Sequence, residues 1–200
     1  MTTPTTDRRS LIVESAIDLI AAQGLRALTH RALDTALELP AGSTSYYFRT
    51  KRALIEAIVD RIAARSRTDF AAARADGSTP PPTGLEPRDI AHGMAVWLDR
   101  LLAQRRNHLI TRHALIVDLL ADPGLHEKLV GSLFSHHHAA GLFRALHADD
   151  PDTAAADLIA VIEGAIFDRF AGARTELAPG TPASVNQLAR ILTAQLSASS

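Results

Sequence analysis

The chain has 200 residues, no cysteine, a 46% apolar and 22% charged composition, and a net charge of -1. Disulfides and thiolate metal sites are therefore excluded, and no apolar run approaches the roughly 18 residues that a membrane span needs. No signal-peptide pattern opens the chain, so a cytoplasmic protein of ordinary globular composition is expected.

Leu, Ala, Ile and Arg are abundant and β-branched or aromatic runs are scarce, which predicts helices throughout. Residues 8–23 place Ile12, Val13, Ala16, Ile17 and Ile20 on one face, and Gly24 ends the helix. Thr29 is a candidate N-cap for a helix over 29–37. Pro40 and Gly42 mark a turn, and a minimal helix over 41–47 follows. Thr50 can cap a long helix over 51–75 with Leu54, Ile58 and Ile62 in a stripe. The proline-rich stretch 76–86 cannot continue it and reads as a loop. Further helices are predicted over 87–103, 105–121, 123–147, 151–173 and 182–197, each beginning near a turn signal such as Asp122-Pro123-Gly124 or Asp149-Asp150-Pro151. No alternating run suits a strand, so the prediction is all-α with about nine helices.

Charge is distributed unevenly. Residues 1–52 carry seven Arg/Lys against five Asp/Glu, a net of +2, which leaves -3 for the remainder. Between Arg26 and Arg52 five positive residues face two negative ones, with Arg49, Lys51 and Arg52 together at a helix start. Affinity for DNA follows the phosphates neutralised at the contact face and not the total charge. Two short helices joined by a tight turn bury little by themselves. They can present a narrow polar face to a groove, and the major groove of DNA admits one helix.

Leu28-Thr29, the turn Pro40-Ala41-Gly42-Ser43, Tyr46-Tyr47-Phe48 and the Lys51 to Leu54 opening resemble the N-terminal domain of TetR-type transcriptional regulators over about residues 8 to 65. The resemblance implies a homodimeric repressor with a helix-turn-helix domain over 1–50, a connecting helix over 51–75, the loop 76–86, and an effector-binding and dimerisation domain over 87–200. It implies that double-stranded operator DNA is read by Gly42, Ser43, Thr44, Tyr46 and Tyr47. Thr29, His30, Arg31 and Lys51 would contact the groove edge and phosphates, Lys51 as a phosphate clamp. Packing alone is the competing role for the two tyrosines, and Phe48 is assigned to the core. Three residues depart from the family pattern: Glu38 stands at a usual turn glycine, Asp34 at a small apolar position, and Ser45 where tyrosine is frequent.

In the C-terminal part, Met94, Trp97, His113, Val117, Phe134, His137, Phe143 and Phe167 are spread over several predicted helices. An apolar cavity with a few polar points is what a small apolar or amphipathic effector requires; plain core is the alternative for each residue. Ile159, Ile162 and Ile166 with Leu188 and Leu192 either complete the core of one subunit or form a four-helix bundle across a two-fold axis. His136-His137-His138 cannot converge on one ion, because successive helical side chains diverge by about 100°. His126-Glu127 begins like a zinc-protease motif, but Val130 occupies the second histidine's place. No metal site or cofactor is expected. With no nucleophile elbow or phosphate-cradling loop, an enzyme is not expected either, a small helical hydrolase being the distant rival. A helical DNA-binding dimer without an inducer is the nearer alternative.

Overall fold

The computed structural model describes residues 5–75 and 86–198. Among them are ten α-helices and no strand: α1 Thr5–Gln23, α2 His30–Ala36, α3 Ser43–Tyr47, α4 Lys51–Ala75, α5 Pro87–Gln104, α6 Arg106–Asp118, α7 Pro123–Val130, α8 His136–Ala145, α9 Pro151–Ala171 and α10 Pro182–Ala198. Single 3-10 turns over Leu25–Ala27 and Leu119–Ala121 join α1 to α2 and α6 to α7. The expected proline-rich loop lies outside the described residues except for Glu86.

The helix starts follow from local chemistry. Pro87, Pro123, Pro151 and Pro182 open their helices, where the missing N–H is no loss and the fixed φ fits. Thr29, Ser135 and Asp150 each accept a hydrogen bond from a backbone N–H in the first turn that follows.

One expected helix, 123–147, is two. α7 stops at Val130, and α8 begins after the Ser135 cap. The break is built from side chains that take over the last carbonyls of α7. The Ser132 hydroxyl donates to Leu129 O at 2.6 Å, and the buried Arg112 guanidinium donates to Leu129 O at 3.2 Å and to Val130 O at 3.1 Å.

The chain forms two compact units. The first contains residues up to Ser66 together with Asn107–Ser132. Its core combines Ile12, Ile17 and Ile20 of α1, Leu33 of α2, Phe48, and Leu54, Ile58 and Ile62 of α4 with Leu115, Leu119, Leu125 and Leu129. The Thr111 hydroxyl, fully buried, donates to Ile17 O at 2.9 Å and ties α6 to α1. Residues 107–132, grouped by sequence reading with the C-terminal part, thus pack with the N-terminal helices.

The second unit contains Arg67–Arg106 and the chain from Leu133 onward. There α5 packs on α10, and α9 packs on both α8 and α10. A buried polar network supports this arrangement. Asp99 on α5 accepts from Gly180 N at 2.8 Å and from the Ser184 hydroxyl, while Arg169 on α9 donates to the same hydroxyl at 2.8 Å. Ile162, Ile166, Leu188 and Leu192 are at most 1% exposed and belong to the core of the single chain. They are not available to a second subunit, so four of the five expected interface residues are corrected to core; Ile159 is half-buried. The cause is register: the outward stripe of α9 is carried by Ala156, Ala160, Gly164 and Phe167 instead.

Arg112→Met removes the donors that satisfy the end of α7 and leaves buried carbonyls unpaired. It is expected to lower stability by about 3 kcal/mol in urea unfolding. The exposed Arg190→Met should change it by less than about 0.5 kcal/mol; equal small effects would contradict the capping role.

Candidate nucleic-acid interface

α2 ends in a chain reversal whose hydrogen bonds can be followed one by one. Leu39 N donates to Asp34 O at 2.8 Å and Glu38 N to Thr35 O at 3.2 Å, the pair that closes a Schellman turn. That turn requires a left-handed residue after the cap, and Glu38 adopts it with φ 52°. A side chain there costs about 1 kcal/mol that glycine would avoid. The departure noted in the sequence therefore changes the strain of the turn and not its geometry. Gly42 follows at φ 89°, where glycine is the residue that fits without strain.

α3 is a single turn of five residues, and its N-terminal N–H groups have no acceptor within the helix. Asp34 supplies one. The two oxygens of its carboxylate, on a side chain left only 5% exposed, accept from Gly42 N and Thr44 N, each at 2.8 Å. Burial pushes the Asp34 carboxyl up. The Thr44 hydroxyl, the two backbone N–H groups and the neighbouring His30 outweigh this and hold it below the usual carboxylate range.

The C-terminal end of α3 is held by the opposite charge. The Arg9 guanidinium donates to Tyr47 O at 2.8 Å and lies 4.4 Å from the centre of the Phe48 ring. The Ser43 and Ser45 hydroxyls turn back onto Pro40 O and Gly42 O at 2.6 and 2.7 Å.

This leaves a defined outer face. Tyr46 is 79% exposed and meets the half-buried Tyr47 edge-on, with ring centres 5.3 Å apart. Thr29, Arg31, Gly42 and Lys51 are exposed, and His30 and Ser43 are half-buried. The Thr29 hydroxyl accepts from Ala32 N at 3.1 Å, so its capping role is met in the free protein. Thr44 is a correction: it is fully buried beside Asp34 and cannot reach a base edge from there. Arg52, at the start of α4, is engaged by Asp122. Arg9 was not singled out from the sequence, because nothing in its spacing links it to a carbonyl 38 positions later.

The expected effector residues do not all converge. His113 and Val117 belong to the first unit, where Val117 is 69% exposed. Phe143 is a fully buried core residue, while His137 and Phe167 are exposed and Met94 is half-buried. Trp97 and Phe134 do meet, edge-on with centres 5.7 Å apart, and are joined by Phe70 and His138, which the sequence reading did not name. Phe70 lies on α4, outside the segment expected to hold the site. The second unit also has a groove of about 670 Å³ along α5 and α10, lined by Arg88, Asp89, His92 and Arg190 among others. Charged and polar residues make up most of its lining. No group of three or more potential metal ligands occurs among the described residues, and no described helix is long and apolar enough to cross a membrane.

Residues 12–58 match the family profile described as bacterial regulatory proteins, tetR family, and residues 85–196 match tetracyclin repressor-like, C-terminal domain. Solved structures share the fold. The multidrug binding protein EbrR in complex with imidazole is 24% identical over 96% of each chain, with a TM-score of 0.63. A transcriptional regulator from Rhodococcus sp. is 16% identical over 96% of this chain and 95% of that one, at 0.74. GusR of Salmonella enterica is 20% identical over 98% of each chain, at 0.66. No curated protein matches the chain.

Asp34→Ala deprives α3 of its N-terminal acceptors and should lower the stability of the protein by about 2 kcal/mol. The pH dependence has a definite sign. Since the folded-state pKa lies below the unfolded one, the carboxylate's contribution is complete above about pH 4 and is lost as pH falls through the depressed value. The gap between wild type and Asp34→Ala in thermal unfolding should therefore be constant from about pH 7 to 5 and close only in stronger acid. A gap that closes near neutral pH would contradict the assignment.

Proposed function

Since this chain belongs to the TetR family of bacterial regulators, we propose that it is a homodimeric transcriptional repressor released from a near-palindromic operator by a small effector. The observation that carries the DNA-binding reading is the clamped α3 with Tyr46 projecting from it and Lys51 exposed at the start of the next helix. A one-turn helix held in place presents its side chains to the major groove without ordering itself first. The Tyr46 ring suits a thymine methyl, its hydroxyl a phosphate or base edge, and Arg31 reaches the groove edge. Lys51 neutralises one phosphate in each subunit.

The dimer follows from the face that the protomer leaves uncovered. Along α9, Ala156, Ala160 and Gly164 are exposed and small, and Phe167 beside them is 48% exposed. Small residues let a second backbone approach closely, and a two-fold axis places the same stripe on both sides. Two α3 helices then address two half-sites about one helical turn apart.

The effector reading rests on the aromatic cluster around Trp97. EbrR, described as multidrug-binding, has been solved with imidazole, ethidium and malachite green; that such a fold holds small aromatic molecules supports the same use here. α4 contributes to both compact units. An effector that favours one placement of α4 would change the spacing of the two reading helices and shift the population away from the operator-bound form.

With about three basic or phosphate-directed contacts in each subunit, and so about six per dimer, affinity for a duplex selected from a random pool should fall about a thousandfold between 50 and 200 mM salt. Lys51→Ala should lower the slope of log affinity against log salt by about two, one phosphate per subunit. Tyr46→Ala should weaken binding about tenfold or more while sedimentation still shows a dimer. Unchanged DNA affinity in both variants, or a monomer at micromolar concentration, would overturn the reading.

A further inference from the structure

The groove along α5 and α10 has a volume of about 670 Å³, within the roughly 300 to 1,000 Å³ of sites that hold small organic molecules. One wall is the start of α5, from the Glu86 cap to His92; the other is α10 from Asn186 to Thr193. The two helices run antiparallel, because Ser184 at the start of α10 bonds Asp99 near the end of α5. Six residues on from that contact along each helix, Arg190 is level with Gly93. Glu86 is seven residues further toward the start of α5, about 10 Å away at 1.5 Å per residue. The acids Glu86 and Asp89 therefore lie toward one end of the groove, and Arg190 and Asn186 toward the other.

The fixed charges of the groove balance: Arg88 and Arg190 offset Glu86 and Asp89. All four are exposed, and none makes an ion pair among the described residues. Elsewhere opposite charges have found each other, as Arg61 has Glu14, Arg105 has Asp69 and Arg174 has Asp168. Glu86 stands at the cap position of α5, yet its side chain accepts no bond from the first turn. A purely anionic guest would meet two carboxylates here, and a purely cationic one two guanidiniums. A guest with one charge of each sign, spaced about 10 Å apart, is complementary to both ends.

We propose that this groove binds short peptides with free termini, the carboxylate held by Arg190 and the ammonium by Glu86 and Asp89. Three extended residues reach about 10 Å, which is the separation of the two ends. A guanidinium takes a carboxylate through two parallel N–H bonds. Asn186 carries both a donor and an acceptor, as a peptide unit does, and Arg88 can donate to a peptide carbonyl. The groove shares no lining residue with the aromatic cluster around Trp97 and stands independently of the effector reading.

Four compounds separate the parts. Triglycine has both charges, N-acetyltriglycine lacks the ammonium, triglycinamide lacks the carboxylate, and glycine carries both charges too close together. Isothermal titration of the full-length protein at low salt should give triglycine about tenfold tighter than each of the others, one charge-assisted contact being lost in each case. Arg190→Met should bring triglycine down to the affinity of triglycinamide. Glu86→Gln combined with Asp89→Asn should bring it down to that of N-acetyltriglycine. These side chains are exposed, so thermal unfolding without peptide should match wild type in both variants.

Equal affinity of the four compounds, or no binding at millimolar concentration, overturns the assignment. N-acetyltriglycine binding as tightly as triglycine makes the groove a plain anion site and overturns the peptide class. A preference for triglycine that survives in both variants overturns the location. None of these results bears on the effector reading.

Discussion

A recognition helix of one turn cannot hold itself in shape. Helix nucleation is unfavourable, and five residues give few internal hydrogen bonds to offset it. In this chain the deficit is met from outside the helix, by a buried carboxylate in the preceding one. Asp34 holds three points of the motif together: its carbonyl closes the turn through Leu39, and its two carboxylate oxygens hold Gly42 and Thr44. An anion at the start of α3 and the Arg9 cation at its end both oppose the charges of the helix dipole. The outward direction of Tyr46 follows from these contacts, and so does the inward direction of Thr44.

The helical frame was legible because its signals are local. Prolines at first positions, the Thr29 cap, the turn glycine and the apolar stripes each depend on residues a few positions apart. The role of Asp34 was not, since its partners are eight and ten residues away across a reversal and only the folded turn brings them to its oxygens. Read as a departure from a small apolar position, it turned out to accept the backbone N–H of Thr44 on the other side of the turn. In a helix of five residues no periodicity can reveal which side faces inward, so Thr44 looked as available as Ser43. The split of 123–147 was hidden for another reason: the amphipathic pattern runs on through Gly131, and the donor that ends α7 comes from Arg112 on a different helix.

A stripe of apolar residues says that a face is buried but not against what. That limit explains why Ile162, Ile166, Leu188 and Leu192 fit a two-fold interface on paper and sit in the core of one chain in the structure. It also explains why α6 and α7, by pattern equally suited to an effector domain, pack with the helix-turn-helix core. Trp97 and Phe134, both named from the sequence, are in contact in the structure, while Phe70 went unnamed because α4 was read as a connector. The two halves of the proposed function thus draw on different physics: a polar, charge-assisted scaffold for reading DNA, and an aromatic cluster around Trp97 for sensing.

The central claim is that α3 is already fixed by Asp34 before any DNA is present. Amide hydrogen exchange in the free protein, resolved at Gly42 and Thr44, tests it most directly. Neither N–H has an acceptor within a helix, so the account predicts protection at both, comparable with neighbouring α2 amides and removed by Asp34→Ala. Exchange at the rate of an unstructured peptide at both positions in wild type would contradict it.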